Sequence, residues 1–178
     1  MSDRPEQLKR KWEYAQAYLR AFEVLAATPE TEPDLYWTGP SYHLLGMALE
    51  LTFKAFLQEV SDEVPKKTHD VNCLYSTVRT KLPDPIDFER SLGEQCKRHW
   101  DLPELLRNRL SDDLKAQVSY YVVWIQIDLL NRTFYQDSDS GESFKTRYAP
   151  QTDTRFFPIN TALLTLTCNE LRSIATAQ

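Results

Sequence analysis

The sequence predicts an all-α protein built as a helical bundle. Apolar residues recur at spacings of three and four in successive segments, which is the period of an amphipathic helix. Residues that favour helix caps stand before three of those segments. Glycine is scarce, at 4 of 178 residues, which argues against glycine-rich phosphate loops and doubly wound nucleotide folds. The length and the 42% of hydrophobic residues suit a single domain over residues 1–178 with a continuous core.

The first helix is predicted over residues 6–27. Charged residues fill one face, and Pro29 ends the pattern. The apolar face consists of Leu8, Trp12, Ala15, Leu19, Phe22 and either Leu25 or Ala26. Thr28–Pro40 then carries three acidic residues and three prolines, so we expect an ordered loop whose Tyr36 and Trp37 cover the core.

The second helix is predicted to be the centre of the bundle. Ser41 occupies an N-cap position, and Tyr42–Val60 is apolar nearly all round. A helix that is apolar on every side is a buried helix. We therefore expect the other helices to pack around this segment.

The remaining helices follow from the same spacing. It predicts a short helix over Asp70–Leu82, then a weaker amphipathic helix over Asp87–His99 and a helical turn at Pro103–Leu110. Ser111, followed by two acidic residues that suit the positive end of a helix dipole, opens a long helix to Phe134. The β-branched residues of that segment would also suit a strand, but its cap and its length favour a helix. Pro158 starts a last helix that runs close to the C-terminus.

The sequence carries no sign of export or of a membrane span. The N-terminus lacks a basic start followed by an apolar run, so we expect a cytoplasmic protein without a signal peptide. Val118–Leu130 is the densest apolar stretch, but it contains Gln126 and Asp128 and is shorter than the roughly 20 residues that cross a bilayer. We interpret it as a buried helix and expect no contact with a membrane.

The cysteines and histidines do not predict a metal site. Cys73, Cys96 and Cys168 are odd in number and far apart, and the three histidines form no zinc-type or di-iron-type spacing. We expect free, mostly buried thiols, no metal and no cofactor. Cys73 stands four residues after His69, but we place it on the apolar face of its helix as a structural thiol and not as a nucleophile.

The charge balance disfavours nucleic acid as a partner. The formal net charge is −5, so the whole surface has no electrostatic attraction to a polyanion. One basic and aromatic cluster interrupts this pattern and consists of Lys97, Arg98, His99, Trp100, Arg107 and Arg109. Asp101 and Glu104 dilute it, so we interpret it as a solvated helix face, with nucleic acid or an acidic partner as the alternative.

Polar residues form a narrow stripe on the predicted central helix. His43, Met47, Glu50 and Lys54 fall at helical spacing on one side of this otherwise apolar element. Glu50 precedes Lys54 by four residues, which is the favourable order for a helical ion pair. The pair either fixes the packing register of the bundle or lines a ligand or catalytic pocket.

Four further residues join Glu50 and Lys54 as candidate site residues, namely His69, Asp70, Arg147 and Tyr148. Asp70 can cap the third helix, and His69 can reach back to the second helix across a short loop. His69 is either a structural hydrogen-bonding partner or a functional group. Arg147 and Tyr148 offer a planar fork and a phenol that can close over Glu50 or Asp70.

Two segments resemble the HEPN family, the higher eukaryote and prokaryote nucleotide-binding domains. They are Tyr42–Leu57 and Lys67–Leu74, and an Arg-Tyr pair near the last helix, here Arg147-Tyr148, is similar as well. The positions that match the family's Glu-x-x-x-Lys helix and His-Asp turn are Ala48, Glu50, Lys54, Ala55, His69, Asp70 and Leu74. Val71 replaces the usual leucine. The resemblance implies an up-and-down bundle of four to five main helices, often a homodimer.

The resemblance also raises the question of ribonuclease activity. Many HEPN proteins cleave RNA with an Arg-x(4–6)-His motif, which supplies a charge stabiliser and a general acid or base. No arginine stands five to seven residues before His43, His69 or His99, and no histidine follows His99. The family name implies nucleotides, but the chain has no glycine pattern that would cradle a phosphate.

These observations favour a non-catalytic, HEPN-like interaction or ligand-sensing module without catalytic residues. We expect a homodimer, with a protein encoded by a neighbouring gene as a further candidate partner. The alternative is a divergent HEPN ribonuclease of a toxin–antitoxin or phage-defence system. It would use His69 or His99 together with Arg98, Arg107 or Arg109.

Overall fold

The computed structural model describes residues 4–27, 35–61, 68–99, 114–134 and 159–177. Within these ranges the chain forms seven helices and no strand, and five of the helices have twelve or more residues. The helices are α1 (Arg4–Ala26), α2 (Leu35–Ser61), α3 (Val71–Arg79), α4 (Pro85–His99), α5 (Leu114–Ser119), α6 (Val123–Phe134) and α7 (Thr161–Thr176). The predicted all-α helical bundle is confirmed.

Helix α2 is the centre of the bundle, as its sequence predicts. It contacts α1, α3, α6 and α7, and side chains on several of its faces are completely buried. Those side chains include Leu45, Leu49, Phe53 and Phe56. Helix α1 packs antiparallel to α2, since Trp12 near its start donates from Nε1 to Glu59 Oε2 near the end of α2 at 3.3 Å. The predicted apolar face of α1 is buried at Trp12, Ala15, Leu19 and Phe22.

The predicted loop before α2 is wrong over its second half. Helix α2 begins at Leu35, so Ser41 lies inside the helix and does not cap it. Pro40 also lies inside the helix, close to its N-terminus, where its missing N–H removes one backbone hydrogen bond. The packing of α2 against α1 tolerates this loss. Residues 28–34 and the side chains of Tyr36 and Trp37 lie outside the described part of the chain.

Helices α3 and α4 follow the predicted order. Asp70 caps α3 by accepting a hydrogen bond from the Cys73 N–H at 3.0 Å, as expected. Helix α4 begins at Pro85, where the Asp84 carboxylate accepts from the Asp87 N–H at 2.9 Å. The helical turn predicted at residues 103–110 lies outside the described residues.

The long helix predicted from Ser111 to Phe134 is broken into α5 and α6. The chain turns at Tyr120–Val122, where the Tyr121 N–H donates to Val118 O at 3.1 Å and the Val122 N–H donates to Ser119 O at 3.2 Å. The apolar stretch is therefore no continuous buried helix, and Val118 is exposed. Apolar spacing does not reveal this break, because it carries no information on the polar side chains of Gln126 and Asn160 that stabilise the turn.

Side chains from α6 and from the start of α7 stabilise the turn between α5 and α6. Gln126 Nε2 donates to Ser119 O at 3.0 Å, and Asn160 Nδ2 donates to Tyr120 O at 2.9 Å. The partly buried carbonyls of Ser119 and Tyr120 thus obtain side-chain donors where the helix is interrupted. Asn160 also caps α7 by accepting from the Leu163 N–H at 3.0 Å, so α7 begins at Thr161 and not at Pro158.

The cysteine predictions are partly confirmed. Cys96 and Cys168 are free and buried. Cys73 is also free but exposed, so its placement on the apolar face of α3 is wrong. None of the helices in the described ranges combines the length and the apolar character that crossing a membrane requires.

Candidate functional site

Three of the predicted site residues meet between α2 and the start of α3, and we call Glu50, Lys54 and His69 the polar cluster. Glu50 is buried, with 4% of its side chain exposed. Its Oε1 accepts a hydrogen bond from Lys54 Nζ at 2.7 Å, and its Oε2 lies 3.0 Å from His69 Nδ1. One buried carboxylate therefore contacts two basic side chains, one on α2 and one in the segment that leads into α3.

Glu50 and Lys54 of the polar cluster face the interior, whereas His69 is 47% exposed. Each oxygen of Glu50 has its own partner, and Lys54 is itself mostly covered, with 16% of its side chain exposed. A buried ion pair with both partners in place stabilises a packing arrangement, whereas loss of one partner is costly. The arrangement therefore fits a structural role between α2 and α3.

A second lysine approaches the polar cluster from α1. Lys11 donates to Gln58 Oε1 on α2. Burial lowers the pKa of Lys11, and the nearby Lys54 ammonium lowers it further. The ammonium groups of Lys11 on α1 and Lys54 on α2 thus lie close to each other, and Glu50 pairs with Lys54.

The other predicted site residues have different outcomes. Asp70 lies next to His69 in the chain and caps α3, where its carboxylate accepts from the Cys73 N–H and its own N–H donates to Thr68 Oγ1 at 3.0 Å. Arg147 and Tyr148 lie outside the described residues, so their closure over Glu50 or Asp70 stays a prediction. His43 and Met47 lie on α2 at half-buried positions beside the polar cluster.

An open groove lies between α3 and α6, and its first lining residue, Asp70, directly follows His69 in the chain. Its volume is about 480 Å³. Asp70, Cys73 and Arg79 line it from α3 and its cap, and Trp124 and Arg132 line it from α6. This α3–α6 groove combines charged, aromatic and thiol groups at one place on the surface.

The walls of the α3–α6 groove are held by hydrogen bonds. The Val71 N–H donates to Asn131 Oδ1 at 3.1 Å, and Asn72 Nδ2 donates to Asp128 Oδ1 at 2.7 Å. The first turn of α3 therefore meets the second half of α6, and the two helices run antiparallel. Asp128 Oδ2 pairs with Arg132 at 2.6 Å. These contacts hold α3 and α6 together along the groove.

A buried carboxylate holds Arg79 at the edge of the groove. Glu89 on α4 is mostly covered and lies 2.8 Å from Arg79 Nε in an ion pair, although the Nε–H does not align as a hydrogen bond. The Tyr75 hydroxyl donates to the same carboxylate at 3.0 Å. Burial raises the pKa of Tyr75 above its usual range, and the Glu89 charge raises it further. Tyr75 therefore stays a neutral donor to the same carboxylate that pairs with Arg79.

Two side chains that line the groove are exposed, the indole of Trp124 and the thiol of Cys73. Trp124 is 50% exposed although it is a large apolar residue, and Cys73 is the exposed cysteine. An exposed indole beside guanidinium groups is typical of a binding surface. Sequence reasoning missed Arg79, Trp124, Asp128 and Arg132 as site residues. The signal that could have found Trp124 is its position on the polar side of the α6 helical spacing.

No group of three or more His, Cys, Asp or Glu side chains among the described residues is arranged to hold a metal ion. Lys97, Arg98 and His99 are exposed in the last turn of α4, where positive charge complements the helix dipole. Trp100, Arg107 and Arg109 of the predicted basic cluster lie outside the described residues.

Comparison of the chain with protein-family models, with curated proteins and with solved structures finds no match. The resemblance to HEPN domains therefore rests on the motifs in the sequence.

Proposed function

We propose that the chain is a non-catalytic, HEPN-like interaction or ligand-sensing module whose ligand binds in the α3–α6 groove. The observation that carries this proposal is the contrast between the two polar sites. Glu50 and Lys54 pair with each other in the interior and His69 contacts the same carboxylate, whereas the groove presents an exposed Trp124 beside Arg79, which Glu89 holds in place. A guanidinium group that is held in position next to an aromatic side chain favours ligand binding over catalysis.

The non-catalytic part of the proposal is supported by the histidines. The family's arginine–histidine spacing is absent from the sequence, and His69 contacts a buried carboxylate. Incubation with labelled single-stranded RNA tests this part, and we expect no cleavage by the wild type, by His69→Ala or by His99→Ala. Cleavage that disappears in either variant would instead support the divergent ribonuclease.

We also propose that the protein forms a homodimer in the cytoplasm and does not bind nucleic acid. The dimer is implied by the HEPN resemblance, and the net charge of −5 disfavours a polyanion. Three free cysteines, one of them exposed, fit a reducing compartment. A protein encoded by a neighbouring gene is a candidate ligand of the groove.

A thermal-shift panel tests groove binding. The panel contains amino acids, short peptides, aromatic carboxylates, phosphorylated metabolites and nucleotides, each at millimolar concentration. Ligands that bind only the folded state raise the melting temperature. We expect at least one class to do so for the wild type and for the control Tyr14→Ala, which alters an exposed aromatic residue on α1. The shift should disappear in Trp124→Ala. A shift that survives in Trp124→Ala, or no shift with any class, would refute groove binding.

A further inference from the structure

The α3–α6 groove has a negative end and a positive end. Asp70 caps the start of α3 and Arg79 ends it, nine residues later, so about 13 Å of helix axis separates the two. Both residues line the groove. Asp128 and Arg132 neutralise each other close to the Asp70 end. Arg79 is itself paired with Glu89, but Glu89 is mostly covered and does not line the groove. The charged groups that the two ends of the groove present to a ligand are therefore the Asp70 carboxylate and the Arg79 guanidinium.

Each of these two groups keeps hydrogen-bonding capacity after its structural contact. Asp70 uses Oδ1 to cap α3, which does not require Oδ2. Arg79 pairs with Glu89 through Nε, which does not require its two Nη groups. A guanidinium fork matches a carboxylate, and a carboxylate matches an ammonium group.

An apolar surface lies between the two ends. Trp124 is one helical turn before Asp128 on α6, and Asp128 faces the first turn of α3. Because α3 and α6 run antiparallel, Trp124 lies toward the Arg79 side of the groove. A ligand that reaches from Asp70 to Arg79 passes across this half-exposed indole.

We propose that the α3–α6 groove binds a short zwitterion, namely a free peptide of about three residues. Its ammonium group would contact Asp70, its carboxylate would contact Arg79, and an apolar side chain would pack on Trp124. Three extended residues span about 10 Å, which matches the separation once the reach of both side chains is included. This inference rests on the proposed function, since it names the ligand class of the same groove.

Cys73 provides a built-in reporter for this test. It lines the groove between Asp70 and Arg79 and is exposed, whereas Cys96 and Cys168 are buried. Burial also raises the pKa of Cys96 and of Cys168, which disfavours their reactive thiolates. Iodoacetamide should therefore modify Cys73 first, and mass spectrometry of the digested protein gives the rate. Occupation of the groove slows this rate.

The probes are alanyl-phenylalanyl-alanine with free termini, its N-acetylated form and its C-amidated form. We expect the free peptide to protect Cys73, and each blocked form to need about ten times the concentration, since each loses one charged hydrogen-bonding partner. Asp70→Asn keeps the cap and removes the charge, so it should weaken the free peptide about tenfold. Arg79→Gln should weaken it similarly. Arg90→Gln, which alters an exposed arginine of α4 outside the groove, is the matched control and should change nothing.

The pattern across variants is the decisive result. In Arg79→Gln, the amidated and the free peptide should protect Cys73 at the same concentration, because the partner of the peptide carboxylate is already gone. In Asp70→Asn, the acetylated and the free peptide should likewise be equivalent, because the partner of the ammonium group is gone. Equal protection by all three peptides would overturn the zwitterion while leaving groove binding intact. Protection by none of them would also overturn it, and the thermal-shift panel would then decide separately whether the groove binds another class.

Discussion

Glu50 is a buried acid whose pairing with Lys54 follows from the sequence, whereas its contact with His69 does not. Its pairing with Lys54 is a local consequence of helical spacing, so the sequence predicts it. Its contact with His69 spans nineteen positions and depends on how the chain returns from α2 to α3. Spacing alone could suggest this contact but could not fix its distance. The geometry favours the structural alternative, in which the polar cluster fixes α3 against α2.

Glu50→Gln should lower the free energy of unfolding by about 3 kcal/mol. The substitution leaves the largely covered Lys54 ammonium without its carboxylate, and breaking a buried pair costs on the order of 3–5 kcal/mol. Urea unfolding followed by circular dichroism measures the loss. Glu13→Gln removes an exposed partner of Lys9 and should stay within about 0.5 kcal/mol of wild type. Equal effects of the two substitutions would contradict the buried pair.

Cys168 should make the fold sensitive to alkali. Burial raises the pKa of this thiol to about 12, and a hydrogen bond with Thr52 offsets the effect only in part. In the unfolded chain the thiol titrates near 9, so above that pH the unfolded state loses a proton that the folded state keeps. The free energy of unfolding contributed by this group therefore falls as pH rises from about 9 to about 12.

Cys168→Ala isolates this effect. Between pH 9 and pH 10 the wild type should lose about 1 kcal/mol more than Cys168→Ala, as measured by urea unfolding at both values. Burial also raises the pKa of Tyr120, to about 12, but that group is common to both proteins and cancels in the comparison. Parallel losses in the two proteins would show that Cys168 does not titrate in this way.

The error over Cys73 has a simple geometric origin. Val71, Leu74, Tyr75 and Val78 define the buried face of α3. A residue two positions after Val71 points about 200° away from it around the helix, so Cys73 lies on the opposite side. The same spacing that predicts the helix therefore predicts the exposed thiol, once the face is assigned from all four apolar residues.

At the scale of elements, the close packing of α4 against the α5–α6 turn depends on Gly93. A Cβ atom at this position would lie 2.5 Å from the Tyr121 carbonyl oxygen, which is backbone and cannot rotate away. Gly93→Ala should therefore lower stability by about 1–3 kcal/mol, although alanine favours helices by about 1 kcal/mol. The neighbouring Glu94→Ala is exposed and should be nearly neutral in the same urea experiment. A stabilised Gly93→Ala protein would mean that the two segments are not in contact.

Asn160 links the start of α7 to the α5–α6 turn. Asn160→Ser keeps an oxygen that can cap α7 but removes the amide that donates to Tyr120 O. Loss of the donor to this partly buried carbonyl should cost about 1 kcal/mol, and amide exchange at residues 120–122 should accelerate. Asn160→Ala should cost about 1 kcal/mol more, because it also loses the cap. If Asn160→Ser matches wild type in both stability and exchange, Asn160 does not stabilise the turn.

The order and the apolar faces of the helices could be predicted because they follow from local spacing and caps. Helix α2 shows this best, since its continuous apolar pattern identifies it as the buried centre. The break before Val123 could not be predicted, because it is stabilised by polar side chains, and one of these, Asn160, lies forty residues from the Tyr120 carbonyl to which it donates. The start of α2 was misplaced because a proline near a helix N-terminus removes a single hydrogen bond and does not end the helix.

At the scale of the whole molecule, the assembly state is a prediction of the HEPN resemblance. Light scattering coupled to gel filtration should give twice the chain mass of 20.8 kDa. The measurement is made at several protein concentrations, since dissociation on dilution would reveal a weak dimer. A mass of a single chain at every concentration would contradict the dimer without affecting the proposed groove.

The groove itself could not be predicted from the sequence in the way the polar cluster could. Glu50 and Lys54 attract attention because they interrupt an apolar helix, and His69 attracts attention because it belongs to the His-Asp turn before α3. Arg79, Trp124 and Arg132 look like ordinary surface residues until α3 and α6 bring them together. A surface site assembled from two distant helices leaves no local signal in the sequence.

The most direct test of the account is an amide ¹H–¹⁵N chemical-shift map, recorded with the panel compound that raises the melting temperature most. We predict that the perturbed amides cluster on α3 and α6 around Cys73, Arg79 and Trp124, and that those of α2 near Glu50 and Lys54 change little. Perturbations centred on Glu50, Lys54 and His69, with the groove unaffected, would contradict the account and make the polar cluster the binding site.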